Sequence, residues 1–351
     1  MAERRAQQFD DTPGDEMRKG KVLVTVDWLH SVPGPAGRMR QRIEAAGYEV
    51  VLSRTKSRLS AAELMPLLVG VVGHLAGNDE LNATVIETAR ELRIISRQGA
   101  GFDNVDLEAA TKRGIVVCNA VGAGASAVAE FAFAMMLAIG RRLVPAQTAL
   151  REGRWLERTD LGGVSPIGAT LGVIGLGNIG RSLVELVRGF KMRILYFDRE
   201  RQQHFEEESG IKYAHLDELL RESDFVSIHV SLNFETHHLI GERELALMKP
   251  TAYLINTSRG SVVDEEALYR ALLDGRIAGA GLDVFEQEPV APNNHLLTLP
   301  DTTVLLTNHV AVLSDKVKAA LLELATDNLL DALQGRRPRF VTNPDVYTVR
   351  S

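Results

Sequence analysis

Three side chains that can bind a carboxylate, carry a charge and move a proton follow three short apolar runs in the second half of the chain. "LINTSRG" places Arg259 just after a β-branched run. "AGAGLDVFEQEP" carries Asp283 at the end of the next run and Glu288 five residues on, and "TVLLTNHV" leads to His309. Open α/β sheets present ligand-facing groups outside the carboxyl ends of their strands, so side chains emerging there within one domain share a crevice. A guanidinium clamps a carboxylate or 2-oxo acid through two N–H groups, and an imidazole gives or takes a proton near neutral pH. A carboxylate beside that imidazole orients it and stabilises its protonated form. The combination suits hydride transfer to a 2-oxo acid: Arg259 binds and polarises the substrate, His309 protonates the carbonyl oxygen and Glu288 holds the ring. Taken singly, each has a plainer reading as a solvated loop Arg, a turn Glu or a structural His; their joint placement favours chemistry.

A hydride needs a donor, and "TLGVIGLGNIGRSL" offers a place for one. Gly175 permits a tight turn after a buried strand, Gly177 lets backbone approach a pyrophosphate, and Gly180 lets helix and strand pack closely. The helix that follows turns its N–H groups and positive dipole end toward the anion. Asp198 ends the next run, "RILYFD", 18 residues after Gly180. There it would accept from ribose hydroxyls and repel a 2′-phosphate, so NAD is expected over NADP, with Arg199 beside it as the opposing signal. The same fingerprint serves other nucleotide-binding proteins, including methyltransferases, so it marks a dinucleotide or related ligand and leaves the reaction to the other residues.

Two series of elements must position these groups. From Lys21, β-branched runs alternate with helical stretches up to "GIVVCNA", and a second alternating series begins at Thr170. Both read as doubly wound α/β domains with parallel sheets. Only the second contains the glycine fingerprint. "SAVAEFAFAMMLAIG", residues 126–140, is apolar on nearly every face and implies burial all round, at a seam between domains or against a second subunit. "DKVKAALLELATDNLLDALQG" closes the chain as one amphipathic helix with a glycine C-cap signal at Gly335.

Composition narrows the partners. With 351 residues, two domains are expected. A net charge of −6 argues against a nucleic-acid backbone as partner. Cys118, the single cysteine, excludes an intrachain disulfide and reads as a small buried hydrophobe in a reducing, cytoplasmic setting. Residues 1–20 mix charges without an apolar core and are expected to form a disordered tail, and the apolar run at 131–140 is too short to span a bilayer, so a soluble protein is expected. No His/Cys spacing supports a metal site. "SRTKSR" places Arg54, Lys56 and Arg58 together, either as a solvated charged face or as a hold for a substrate phosphate or phosphonate.

With these residues assembled, the chain resembles the D-isomer-specific 2-hydroxyacid dehydrogenases, above all their phosphoglycerate-dehydrogenase-like branch. The likeness runs from about Lys21 to Tyr347 through "RQGAGFDNVDLEAATKRGIVV", "VAEFAFAMMLA", "TLGVIGLGNIGR", "LINTSRGSVVDEEAL", "GAGLDVFEQEP" and "VTNPDVY". It implies a Rossmann-type NAD domain, residues 122–311, inserted into a flavodoxin-like substrate domain, residues 21–121 plus 312–351. It also implies catalysis by Arg259, Glu288 and His309, and a substrate carboxylate met by the backbone of Ala100 and Gly101. Cofactor contacts are implied at Asn178, Ile179, Asp198, Thr257 and Asp283, and a homodimer built on the apolar helix after Ser126.

The expected activity is reversible NAD-dependent hydride transfer on a small 2-oxo or 2-hydroxy acid such as 3-phosphoglycerate, glyoxylate, hydroxypyruvate or a phosphonate analogue. An NADH-sensing binding protein, like the related transcriptional corepressors, is the alternative, because such proteins can retain the triad. The chain departs from the family where Asn308 replaces the usual Pro before the catalytic His, where Val312 replaces a small residue, and at Ala120 and Val121 in place of Thr and Pro. These changes bear on substrate rather than reaction.

Overall fold

The computed structural model describes residues 19–53, 58–155 and 162–349. Residues 1–18 of the expected tail, and Arg54 and Lys56 of the basic run, lie outside the described residues; Lys19 and Gly20 are described and bond to the Gly47–Glu49 segment, and Arg58 is exposed. Lys21–Val24 (β1), Glu49–Leu52 (β2), Val71–Ala76 (β3), Ile94–Arg97 (β4) and Val116–Cys118 (β5) form a parallel sheet in the order β2-β1-β3-β4-β5. Every residue of β3, β4 and β5 is buried. That burial explains their mainly apolar character, since a parallel sheet covered on both faces has no polar side to present; His74, Ser96 and Arg97 are the buried polar exceptions.

Thr170–Ile174 (β6), Arg193–Phe197 (β7), Lys212–Tyr213 (β8), Phe225–Ile228 (β9), Tyr253–Asn256 (β10), Gly279–Leu282 (β11) and Val304–Leu306 (β12) make the second sheet, ordered β12-β11-β10-β9-β6-β7-β8. All its pairings are parallel. The order reverses between β6 and β9. At that switch point neighbouring crossovers run to opposite sides and open a crevice at the carboxyl ends of the strands, as in other doubly wound sheets. The fold is α/β and Rossmann-like.

Two compact units emerge, one of residues 1–98, 104–119 and 322–351, the other of residues 99–103 and 120–321. Both differ from the expected boundaries, for local reasons. The segment Gly99–Asp103 joins the second unit because Asp103 accepts from the Arg259 Nε at 2.9 Å and Ala120 N–H donates to the Gly99 carbonyl at 3.0 Å. The stretch 312–321 joins it because Val312 and Val317 pack over Gly124.

In the first unit, the helix Asp315–Leu333 lays Leu329 and Leu333 against Gly73 of β3, and Ser96 Oγ donates to the Ala325 carbonyl at 2.7 Å. Gly335, with φ +78°, follows the helix in the left-handed conformation its C-cap signal predicts. The final "VTNPD" stretch has a structural task. Asn343 accepts from Val117 N–H at 2.8 Å and donates to the Ile115 carbonyl at 2.9 Å, pinning the chain end to β5.

The apolar helix Ala125–Gly140 differs from expectation. Ala129, Ala132, Met135, Met136 and Ile139 bury into a cluster with Leu171, Val173, Phe225 and Tyr253, so its own unit's sheet covers that face. Gly140, Gly279 and Gly281 keep the approach close, each facing a ring or aliphatic side chain. Cys118 is buried as expected, and burial pushes its thiol up to about 12, which leaves it unreactive.

Candidate active site

The glycine turn after β6 is built as its sequence requires. Gly175 has φ +96°, and a Cβ on Gly180 would stand 2.2 Å from the Gly175 carbonyl oxygen, so the helix Asn178–Leu186 can start only where a hydrogen replaces a side chain. Gly177 and Asn178 are exposed at the helix head, Ile179 is half-buried, and no side chain caps that N-terminus. Its first N–H groups are therefore available to an anion. Asp198 follows β7, and its Oδ2 accepts from Leu176 N–H at 2.7 Å, which holds the carboxylate against the glycine turn. Arg199 points to Glu235 instead, at 3.7 Å, with both side chains well exposed. Thr257 is buried, yet its hydroxyl has no hydrogen-bond partner among the described residues. A buried hydroxyl left in this state costs about 1 to 3 kcal/mol unless something bonds it. Together these features fit a dinucleotide: dipole and amides for the pyrophosphate, a carboxylate for the ribose and an unspent hydroxyl for a polar group of the ligand.

Arg259 emerges from a turn shaped by Asn256 at the end of β10. The Asn256 Oδ1 accepts from both the N–H and the hydroxyl of Ser258, while its Nδ2 donates to the Arg259 carbonyl. The guanidinium donates through Nη1 to the Ser258 carbonyl at 2.8 Å and through Nε to Asp103. It lies so close to the Gly101 backbone that a Cβ there would fall 1.6 Å from Nη2. Gly101 is thus a glycine for the sake of Arg259, and Ala100 beside it is exposed.

Glu288 and His309 meet. The imidazole Nδ1 lies 2.7 Å from Glu288 Oε2, and Oε1 of the same carboxylate accepts from Phe285 N–H at 3.1 Å. A carboxylate only accepts, so Nδ1 donates and Nε2 is left as the nitrogen able to exchange a proton. Burial alone pushes the Glu288 carboxyl up; the hydrogen bond and charge of His309, the Phe285 amide and the charge of Arg259 outweigh it and bring the group below the usual carboxylate range. Glu288 therefore stays ionised at neutral pH, with both Arg259 and His309 in its field.

His309 sits in the left-handed region at φ +57°, a conformation that costs an ordinary residue roughly 1 to 2 kcal/mol. Asp283 holds it there. Fully buried after β11, Asp283 accepts from the Thr307 hydroxyl and from the N–H groups of Val310 and Ala311, while its backbone carbonyl takes the His309 N–H at 2.8 Å. Sequence reasoning placed Asp283 among the cofactor contacts; the structure shows its carboxylate engaged with the turn that carries His309. Asp103 and Thr307 were missed altogether. The first had one signal, an acidic residue two positions beyond the substrate-loop glycine. Among the described residues, no cluster of His, Cys, Asp and Glu is arranged to hold a metal ion.

Comparison with known proteins agrees with this geometry. The profile of the D-isomer specific 2-hydroxyacid dehydrogenase NAD binding domain matches residues 133–311. A glyoxylate reductase of Korarchaeum cryptofilum is 46% identical over 275 residues, 78% of this chain and 82% of its own. A Thermus thermophilus structure superposes with a TM-score of 0.83 at 36% identity, covering 92% of this chain and 99% of that one. An NADPH-dependent glyoxylate/hydroxypyruvate reductase from Sinorhizobium meliloti, in complex with NADP and malonate, gives a TM-score of 0.78 at 31% identity, covering 93% and 97%.

Proposed function

The chain belongs to the D-isomer-specific 2-hydroxyacid dehydrogenase family, and from that premise we propose that it reduces a small, unphosphorylated 2-oxo acid of the glyoxylate or hydroxypyruvate kind with NADH. The observation that carries the proposal is the 2.7 Å bond between His309 Nδ1 and Glu288, with the charge of Arg259 acting on the same carboxylate. Arg259 binds the substrate carboxylate, helped by the backbone of Ala100 and Gly101. His309 donates its Nε2 proton to the carbonyl oxygen as that oxygen becomes an alkoxide, and Glu288 holds the imidazolium in place. In the reverse direction the neutral ring accepts the hydroxyl proton. A bound nicotinamide supplies or takes the hydride. Gly175, Gly177, Asn178, Ile179 and Gly180 would hold the pyrophosphate of the dinucleotide, Asp198 its ribose and Thr257 a polar group, while Asp283 holds the turn that carries His309.

The family and the curated glyoxylate reductases support an enzyme over an NADH-operated switch. Loss of NADH absorbance with a panel of glyoxylate, hydroxypyruvate and phosphohydroxypyruvate tests this. The two unphosphorylated acids should turn over faster than the third. NADH should exceed NADPH by roughly tenfold in kcat/KM, because the Asp198 charge would repel a 2′-phosphate. A wild-type protein that binds NADH and oxidises it with none of these acids would overturn the reading in favour of the switch.

A homodimer is part of the same proposal. Beyond the apolar helix, Leu143, Leu150, Trp155 and Ile167 are each more than half exposed. Apolar groups of this size gathered in one stretch of chain suit burial by a second copy. Light scattering should give twice the 38.4 kDa of one chain; a monomer at micromolar concentration would refute it. Cytoplasmic residence accords with the lone buried Cys118. No helix among the described residues is long and apolar enough to cross a membrane.

A further inference from the structure

We infer that Asp103 is a positioning residue for Arg259, fixing the guanidinium so that its Nη2 edge faces a substrate carboxylate and stays off Glu288. The inference rests on the 2-oxo acid reading of the site. Asp103 Oδ1 takes the Nε proton at 2.9 Å and the Ser258 carbonyl takes one Nη1 proton at 2.8 Å. These bonds grip the planar fork at two of its nitrogens, on different edges, and stop rotation of the head group. The third nitrogen, Nη2, rests over the Gly101 backbone, where any Cβ would collide with it. Gly101 makes the space and Asp103 supplies the anchor, so a loop and a strand end 156 residues apart in sequence form one piece. The side chains are 28% and 40% exposed, intermediate between an open surface pair and a desolvated one.

The need for an anchor comes from the neighbouring carboxylate. The positive charge of Arg259 already lowers the Glu288 carboxyl, so the two groups attract each other. Without Asp103, the Arg259 guanidinium would remain in the field of a second carboxylate, Glu288. Pairing there would harm the site twice: the guanidinium would leave the substrate carboxylate, and Glu288 would divide its charge between Arg259 and His309. An acidic residue beside a carboxylate-binding Arg looks like a handicap for anion affinity. Here it holds the Arg for the incoming carboxylate.

The test titrates oxamate, a carboxylate-bearing analogue of 2-oxo acids, into the NADH-loaded full-length protein and follows NADH fluorescence, alongside glyoxylate kinetics. Asp103→Ala should weaken oxamate binding tenfold or more and raise the KM for glyoxylate by a similar factor, with a smaller loss in kcat and NADH affinity within twofold of wild type. Asp103→Asn, which keeps an acceptor oxygen without the charge, should recover part of the oxamate affinity. Oxamate affinity in Asp103→Ala equal to wild type would overturn the assignment, as would parallel losses of NADH binding, oxamate binding and melting temperature that Asn does not relieve. If wild type itself neither binds oxamate nor turns over any 2-oxo acid, the reading of the reaction falls, and this inference falls with it.

Discussion

Replacing His309 should cut 2-oxo acid turnover by about 10² to 10⁴-fold, the range for loss of a positioned proton donor, or roughly 3 to 5 kcal/mol of barrier. NADH binding should hardly change, because the glycine turn, Asp198 and Thr257 lie at other strand ends. The choice of replacement matters. At φ +57° an Ala would add backbone strain to the loss of the ring, whereas Asn tolerates the left-handed region. Asn also reaches toward Glu288 with an N–H but has no proton to give near neutral pH. A His309→Asn protein with wild-type melting temperature and NADH affinity and a collapsed kcat isolates proton transfer from folding. Turnover within tenfold of wild type would remove His309 from the mechanism and return the site to the ligand-switch reading.

What could be read in the sequence, and what could not, follows from the range of each interaction. The strands were legible because a parallel sheet covered on both faces demands mainly apolar runs, and β9 and β10, buried at every residue, meet that demand with Ser227 and Asn256 as their polar exceptions. The fingerprint was legible because Gly175 and Gly180 answer to sterics within a few residues of themselves. Arg259, Glu288 and His309 were legible because strand ends in one sheet converge whatever the loops do. Asp103 was not: its partner lies 156 residues away, and an acidic residue two positions beyond Gly101 does not by itself name a guanidinium. Asp283 illustrates a different limit. Its position at a strand end was plain, but a carboxylate there serves a cofactor or its own chain equally well, and only the positions of Thr307, Val310 and Ala311 decide where its lone pairs go. The helix Ala125–Gly140 shows the same ambiguity, since an all-round apolar surface announces burial without naming what covers it.

Glu288→Gln carries the other large effect, and its signature is a fall in kcat together with a change at the acid end of the pH profile. Gln keeps an oxygen that can accept from His309 Nδ1 but removes the counter-charge of the imidazolium. We expect kcat for reduction to fall roughly 10- to 100-fold, on the scale of acid–base effects. In wild type, the depressed Glu288 carboxyl ends below 4.5. A carboxyl lowered on folding gives its support above the unfolded value and loses it only as pH falls through the folded one. The Glu288–His309 pair therefore persists through neutral pH, and any acid limb caused by Glu288 lies below pH 4.5. Gln has no proton to take up, so an acid limb that belongs to Glu288 is absent from Glu288→Gln in both directions of the reaction. Rate profiles of reduction and oxidation, measured on both proteins across the stable range, check this. Turnover of Glu288→Gln equal to wild type would show that the charge of Glu288 is not needed, and the acid–base role given to the pair would be withdrawn.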